Sequence, residues 1–163
     1  MSAVLEVENL KTEFHLRSAN VVAVDDVSFH VEEGECVGLV GESGCGKTTT
    51  GLSVMKLLPN VGHVTGGSIR LLGRDLAPLN EREMCKVRGN DVGMIFQDPL
   101  TSLNPTMTIG RQIAESVRLH RGASKAEARA APWRCCRWSR CPDPVNASTP
   151  TPTSCRVACA SGS

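Results

Sequence analysis

Gly41-Glu42-Ser43-Gly44-Cys45-Gly46-Lys47-Thr48 has the form G-x-x-x-x-G-K-[ST], and no other stretch constrains the chain as strongly. The apolar run Cys36-Val37-Gly38-Leu39-Val40 precedes it and reads as a buried strand. Leu52, Met55 and Leu57-Leu58 follow at helical spacing and stop at Pro59. Strand, glycine-rich turn and helix, in that order, are the context in which this pattern wraps a polyphosphate. Main-chain amides must come close to the anion and turn freely, and Gly41, Gly44 and Gly46 have no Cβ to obstruct this. The helix behind them points unpaired N–H groups and a partial positive charge at the same place. Lys47 offers an ammonium to the β- and γ-phosphates, and Thr48 a hydroxyl to Mg²⁺. With Glu42, Ser43, Cys45 and Thr49, these residues make a candidate nucleotide site.

Composition narrows the class. At 163 residues the chain suits one domain, and a formal net charge of +1 gives no electrostatic case for nucleic acid as a partner. No apolar run approaches the roughly 20 residues that span a bilayer. MSAVLEVENL carries early acids and no basic segment, which argues against a signal peptide and for a cytoplasmic protein. Of the eight cysteines, Cys36, Cys45 and Cys85 are scattered, whereas Cys135, Cys136, Cys141, Cys155 and Cys159 crowd the end. None has C-x-x-C spacing, so a Cys-rich metal or redox protein is a weak third reading.

Taken in order, Val4–Val7 alternates as a first strand, and 21–31 (VVAVDDVSFHV) reads as two more short strands before a turn at Glu33-Gly34. Phe14 lies between these runs; it is a candidate to stack on a purine or, by spacing alone, a half-buried sheet residue. Val64–Leu71 reads as a glycine turn followed by a strand, and Asn80 as the cap of a short helix over Glu81–Arg88. Val92–Phe96 reads as a second buried strand ending at Gln97, which could face a nucleotide and help hold Mg²⁺ or a water. A turn-rich loop, Asp98–Pro105, follows, then an amphipathic helix from Ile109 to His120, with His120 as a helix-end residue. Ser124 and Glu127 form a capping box for a helix over Lys125–Ala130.

LEVENLKTEF, AVDDVSF, GESGCGKTT, RGNDVGMIFQDPLTSLNP and TIGRQIAES together resemble the ATP-binding subunit of an ABC transporter, in the subfamily of bacterial peptide and nickel importers. The resemblance covers residues 3 to about 130 and implies an α/β P-loop NTPase fold with an N-terminal antiparallel β subdomain. It implies ATP and Mg²⁺ as ligands, and Phe14 as the adenine-stacking aromatic. Gln97 becomes the glutamine that senses Mg²⁺ and nucleotide, with Thr48 and Gln97 the metal-facing pair. It implies permease subunits and a second ATP-binding subunit as partners, at the inner face of the cell membrane, and segment 98–120 as the start of the helical subdomain that receives the permease. Cys45 stands where the family more usually has Ser, so thiol reagents are expected to block ATP binding, with ATP protecting.

The last segment departs from the family. Residues 131–163 hold no Leu, Ile, Phe, Lys or Glu but five Pro, five Cys and both Trp, and are expected to be disordered. No LSGGQ signature, no strand ending in a Mg²⁺-binding Asp and catalytic Glu, and no switch His appears. When each codon's third base is read with the first two of the next, Asn146–Ser163 permits a string containing LSGGM, and the run from Trp133 permits V-E-L-L. The tail is therefore expected to follow a frameshift near Ala130, leaving a partial ATP-binding domain over 1–130. On this reading the chain binds MgATP without turnover, as a remnant of an importer subunit. The alternative is a hydrolysis-incompetent nucleotide-binding module or a non-functional pseudogene product.

Overall fold

The protein's computed structural model describes residues 3–96, 104 and 106–138, with 132–138 described by backbone alone. The chain divides into two compact units, Met1–Arg88 and Gly89–Ser163.

The first unit is an antiparallel sheet backed by two helices. Strands β1 (Ala3–His15), β2 (Asn20–Glu32), β3 (Gly62–Leu71) and β4 (Arg74–Asp75) lie in the order β2-β1-β3-β4. Residues 20–32 form one continuous strand, where two short runs were expected, because β1 offers thirteen residues of edge to pair with it. Strict alternation would put Val7 and Leu10 on opposite faces, yet both are fully buried, and so is Thr12. The change of parity is a bulge. The register of β1 slips between Val7 and Leu10 against β2, and between Glu8 and Lys11 against β3. Asn9 (φ 48°), Asp26 (φ 53°) and Gly67 (φ 83°) take the left-handed conformation around this bulge. Asn9 is tied there by its amide N–H to Ser28 Oγ (2.8 Å) and its side chain to Asp26 Oδ1 (2.7 Å). A Cβ on Gly67 would strike the carbonyls of Glu8 and Asn9. The glycines expected to form a turn at 66–67 thus lie inside β3, as the strand's answer to the bulge.

Helix α1 (Lys47–Val54) covers one face of the sheet, with Thr50, Ser53 and Val54 buried. The Thr12 and Ser53 hydroxyls are joined at 2.9 Å and buried, a polar tie between β1 and the middle of the helix. The apolar spacing predicted a helix continuing to Leu58, but it stops at Val54. Lys56 turns left-handed (φ 49°), its N–H donates to Ser53, and Leu57 N–H reaches back to Leu52, closing a Schellman cap. A lysine here replaces the usual glycine because its Nζ donates to the carbonyls of Leu76 (3.3 Å), Ala77 (3.0 Å) and Leu79 (2.9 Å).

Helix α2 (Glu81–Val87) begins with the capping box of Asn80 and Glu83. Arg88, just past its end, donates from Nε to Met55 O and from Nη2 to Lys56 O, both at 2.8 Å, and pairs with Glu81. One guanidinium therefore joins the two helices and neutralises the carbonyl end of α1.

In the second unit, α3 (Ile109–Arg121) and α4 (Lys125–Trp138) form a hairpin. Thr108 caps α3, Gly122 (φ 59°) ends it, and Ser124 with Glu127 caps α4 as expected. These bonds from Ser124 hold the Glu127 carboxyl below the usual range. The helix runs past Ala130 to Trp138, where coil was expected from residue 131. Its first turns are capped and Ala-rich, which carries the helix through Pro132.

Two expected strands are absent. Residues 36–40 and 93–96 belong to no strand, and their apolar side chains face solvent, Val40 at 93% and Ile95 at 98% exposure. A strand apolar on both faces is stable only with neighbours on both edges and layers above and below. Among the described residues no strand pairs with either run.

Arg88→Ala should lower unfolding free energy by about 1–3 kcal/mol, read by urea denaturation, because two helix-end carbonyls lose a charged donor. Arg88 beside Glu81 holds that carboxyl below the usual carboxylate range. A depressed folded pKa gives stability that is present above the unfolded value and lost as pH falls through the folded one. Glu81→Gln should therefore destabilise at neutral pH, and its melting curve should converge on that of the parent only in acid below the ordinary carboxylate range.

Candidate functional site

The glycine-rich turn lies between β2 and α1. Gly46 is the N-cap of α1 at φ 93°, and a Cβ there would meet the Ala23 carbonyl at 2.5 Å. The start of the helix is thus seated on the backbone of β2 at a spacing only glycine permits. The first main-chain bond of the helix is Thr50 N–H to Gly46 O (2.8 Å), reinforced by Thr50 Oγ1 to the same carbonyl (3.0 Å). The amides of Lys47, Thr48 and Thr49 precede that bond and lie at the open end. No side chain caps them, and the first turn holds no acid.

The loop folds around its own lysine. Lys47 Nζ donates to the carbonyls of Gly41 and Glu42, each at 2.7 Å, and lies 3.4 Å from Cys45 Sγ. Gly41 is close to both: a Cβ on it would meet Cys45 Sγ at 2.5 Å. Gly44 bends the loop at φ 85°, and Cys45 N–H closes a turn to Glu42 O (3.3 Å). Gly41, Glu42, Ser43, Gly44 and Cys45 are exposed, as is Thr48. The donor set suits a polyphosphate: orphan amides, one ammonium and no carboxylate in the helix's first turn. A hydroxyl at Thr48 suits a hard divalent cation.

Of the sequence candidates, Gly41, Glu42, Cys45, Gly46 and Lys47 come together through these contacts, with Ser43, Gly44, Thr48 and Thr49 in the same loop and helix start. Phe14 lies in β1 between Val21 of β2 and Gly62 of β3, half buried, its ring within 3.0 Å of where a Gly62 Cβ would be. Those surroundings are those of a sheet residue. Gln97 and the loop 98–103 lie outside the described residues. Sequence reasoning missed Ala23, whose carbonyl seats Gly46, and the Thr12–Ser53 tie. The available signal was Thr12 on the buried parity of β1, which only the bulge reveals.

A family model described as ABC transporter matches residues 24–139. The chain is 52% identical over 130 residues to the oligopeptide transport ATP-binding protein AppD of Bacillus subtilis, covering 79% of this chain and 40% of that protein. It is 48% identical over 126 residues to the dipeptide transport ATP-binding protein DppD of Lactococcus lactis subsp. cremoris, covering 77% and 36%. The chain thus spans about two-fifths of the length of the curated relatives it matches. Among solved structures, the ATP-binding cassette MJ0796 bound to ADP and Pi superposes with TM-score 0.76 at 22% identity, over 91% of this chain and 62% of that one. The expected α/β P-loop cassette with its antiparallel N-terminal sheet is therefore the fold.

Gly46→Ala should cost about 1–3 kcal/mol, because it combines left-handed strain with a clash against Ala23. Gly44→Ala, with nothing within 4 Å of the added Cβ, should cost only the strain, about 1–2 kcal/mol. Equal losses in paired urea denaturations would show that the seating on β2 contributes nothing.

Proposed function

That this chain belongs to the ABC transporter family through residues 24–139 is the premise from which we propose its function: it binds MgATP at Gly41–Thr49 as the nucleotide-binding part of an ATP-binding subunit for peptide import. The observation that carries this is the acid-free start of α1, whose open amides converge with Lys47 on one loop. Peptides are proposed as the cargo because the relatives AppD and DppD are oligopeptide and dipeptide transport proteins.

In this reading Lys47 would exchange its bonds to Gly41 and Glu42 for the β- and γ-phosphates, with the open amides of 47–49 facing the same anion. Thr48 Oγ1 and Gln97 would hold Mg²⁺, which supplies charge neutralisation between the phosphates. Phe14 would lie against the adenine. Permease subunits and a second ATP-binding subunit are the proposed partners, at the inner face of the membrane; no helix among the described residues is long and apolar enough to cross one. Positioning of water and charge stabilisation do most of the work in phosphoryl transfer. The 163 residues carry no LSGGQ and no catalytic Glu after a core strand, so this polypeptide alone binds without turnover. The partial ATP-binding domain is proposed over residues 1–130, with 131–163 following a frameshift near Ala130; the family match reaches residue 139. Codons of the gene test the out-of-frame origin of residues 131–163.

Titration of the full chain with MgATP, followed by calorimetry, should show one site. Lys47→Ala should weaken it about tenfold to a hundredfold, the loss of one charge-assisted bond, with phosphate release at background for both proteins. Saturation by nucleotide that Lys47→Ala leaves unchanged would overturn the assignment.

Cys45 is exposed beside Lys47, as are Cys36 and Cys85 elsewhere. Maleimide treatment should abolish MgATP binding, MgATP should slow labelling of Cys45 alone, and Cys45→Ser should bind nucleotide and resist the block. Full labelling of Cys45 with binding intact would count against the loop as the phosphate site.

A further inference from the structure

Three side chains that the nucleotide reading does not use meet on one face of the sheet, where β1 ends and β3 begins. Glu13 of β1 pairs directly with His63 of β3, and His15 stands two residues on from Glu13, so the pleat puts all three on one side. Thr12, between Lys11 and Glu13, turns the other way, to Ser53 of α1. The rings of His15 and His63 have centres 5.0 Å apart and planes tilted by 45°. His15 Nε2 lies 3.5 Å from Glu13 Oε2. The main chain fixes this spacing, since His15 N–H donates to Val61 O at 2.7 Å and extends the ladder to the end of β1. Both histidines are exposed, and Glu13 is partly so.

These spacings select a ligand. Two imidazole nitrogens about 2.0–2.1 Å from one tetrahedral ion put their ring centres about 5 Å apart. A nitrogen and a carboxylate oxygen on the same ion stand about 3.4 Å apart, whereas a hydrogen bond between them would span about 2.7–3.2 Å. His15 and Glu13 are thus too far apart to hydrogen-bond and at the spacing of two ligands. A tilted aromatic pair alone would account for the two rings, but not for a carboxylate beside them at this distance. Imidazole with carboxylate suits a borderline cation such as Zn²⁺ rather than Mg²⁺. Among the described residues no three His, Cys, Asp or Glu side chains already converge on one point. Closure takes a turn of the exposed His63 ring, which displaces nothing in the core.

We propose that His15, His63 and Glu13 form a surface site for a divalent transition-metal cation of the Zn²⁺ class, with water completing the tetrahedron. The ion would staple the end of β1 to the start of β3. Lys11 Nζ lies 3.6 Å from Glu13 Oε1 and 3.7 Å from Asp25 Oδ1. Glu13 Oε2 is therefore the oxygen turned to the ion, and Asp25 stays available to balance Lys11. The site uses no residue of Gly41–Thr49, so it stands or falls separately from the phosphate loop.

The test uses the full chain and Zn²⁺ alone. The chain has eight cysteines, which would bind the same ion as thiolates, so all thiols are first capped with N-ethylmaleimide. Calorimetric titration should then show one saturable site. His15→Asn and His63→Asn should each weaken it about tenfold or more, since losing a ligand costs at least as much as losing a group that orients one. Glu13→Gln should weaken it in the same direction. His30→Asn, which removes an exposed histidine paired with Glu6 on β2, should bind as the parent does. In the ¹⁵N spectrum of labelled histidine, Zn²⁺ should shift the ring nitrogens of His15 and His63, and Mg²⁺ at equal concentration should not. Zn²⁺ should also raise the melting temperature of the parent but not of His63→Asn. The variants change exposed side chains, and circular dichroism checks that each keeps the parent's fold. The proposal fails if the capped chain shows no saturable Zn²⁺ site, or if His15→Asn and His63→Asn bind undiminished. Loss of the site in His30→Asn, or ring shifts on His30 or His120 in place of His15 and His63, would overturn it as well.

Discussion

The open end of α1 depends on how the helix is held from behind. Free amides at a helix start are useful to an anion and costly without one, so the element that carries them must be anchored elsewhere. Two contacts do this. Gly46 sits directly on the Ala23 carbonyl, and Ser53, two turns on, shares a buried hydrogen bond with Thr12. The first fixes where the helix begins, and the second fixes how it is rotated about its axis. Thr12 can reach Ser53 only because the bulge at Asn9 has shifted the parity of β1. A local irregularity in the sheet thereby sets the orientation of a loop far along the chain.

The far end of the helix is held by charge. Lys56 and Arg88 both direct cations at main-chain carbonyls, Lys56 at 76–79 and Arg88 at 55–56. The carbonyls of Met55 and Lys56 find a donor in Arg88, and Glu81 balances the guanidinium. With hydrogen-bonded cations at its carbonyl end and nothing charged among its first-turn side chains except Lys47, the short helix keeps its polarity available to a ligand at the amide end.

What the sequence made legible was local. The glycine-rich turn before α1, the Asn80 cap, the Ser124–Glu127 box and α3 are each specified within a few residues, and the structure has all of them. The misread elements are those decided at a distance. Residues 36–40 and 92–96 have the composition of strands, but composition cannot supply a neighbour to pair with. The continuation of the P-loop helix to Leu58 looked right by periodicity, and was cut short by a lysine whose reason for turning left-handed lies twenty residues away. Phe14 shows the same division: its place in β1 is clear, while its role depends on a ligand that spacing does not encode.

Lys47 has a further consequence. Its ammonium is already satisfied by two carbonyls of its own loop, so the turn carries an internal substitute for the anion it is proposed to bind. Such a substitute keeps the loop curled in the ligand's absence and spares it the disorder of an empty phosphate cradle. It also means that capture is an exchange rather than an addition: an incoming anion gains only the difference between its own bonds to the ammonium and those it displaces. If the loop holds phosphate as proposed, an oxyanion would have to outcompete two carbonyl contacts of 2.7 Å, which favours a ligand of high charge density.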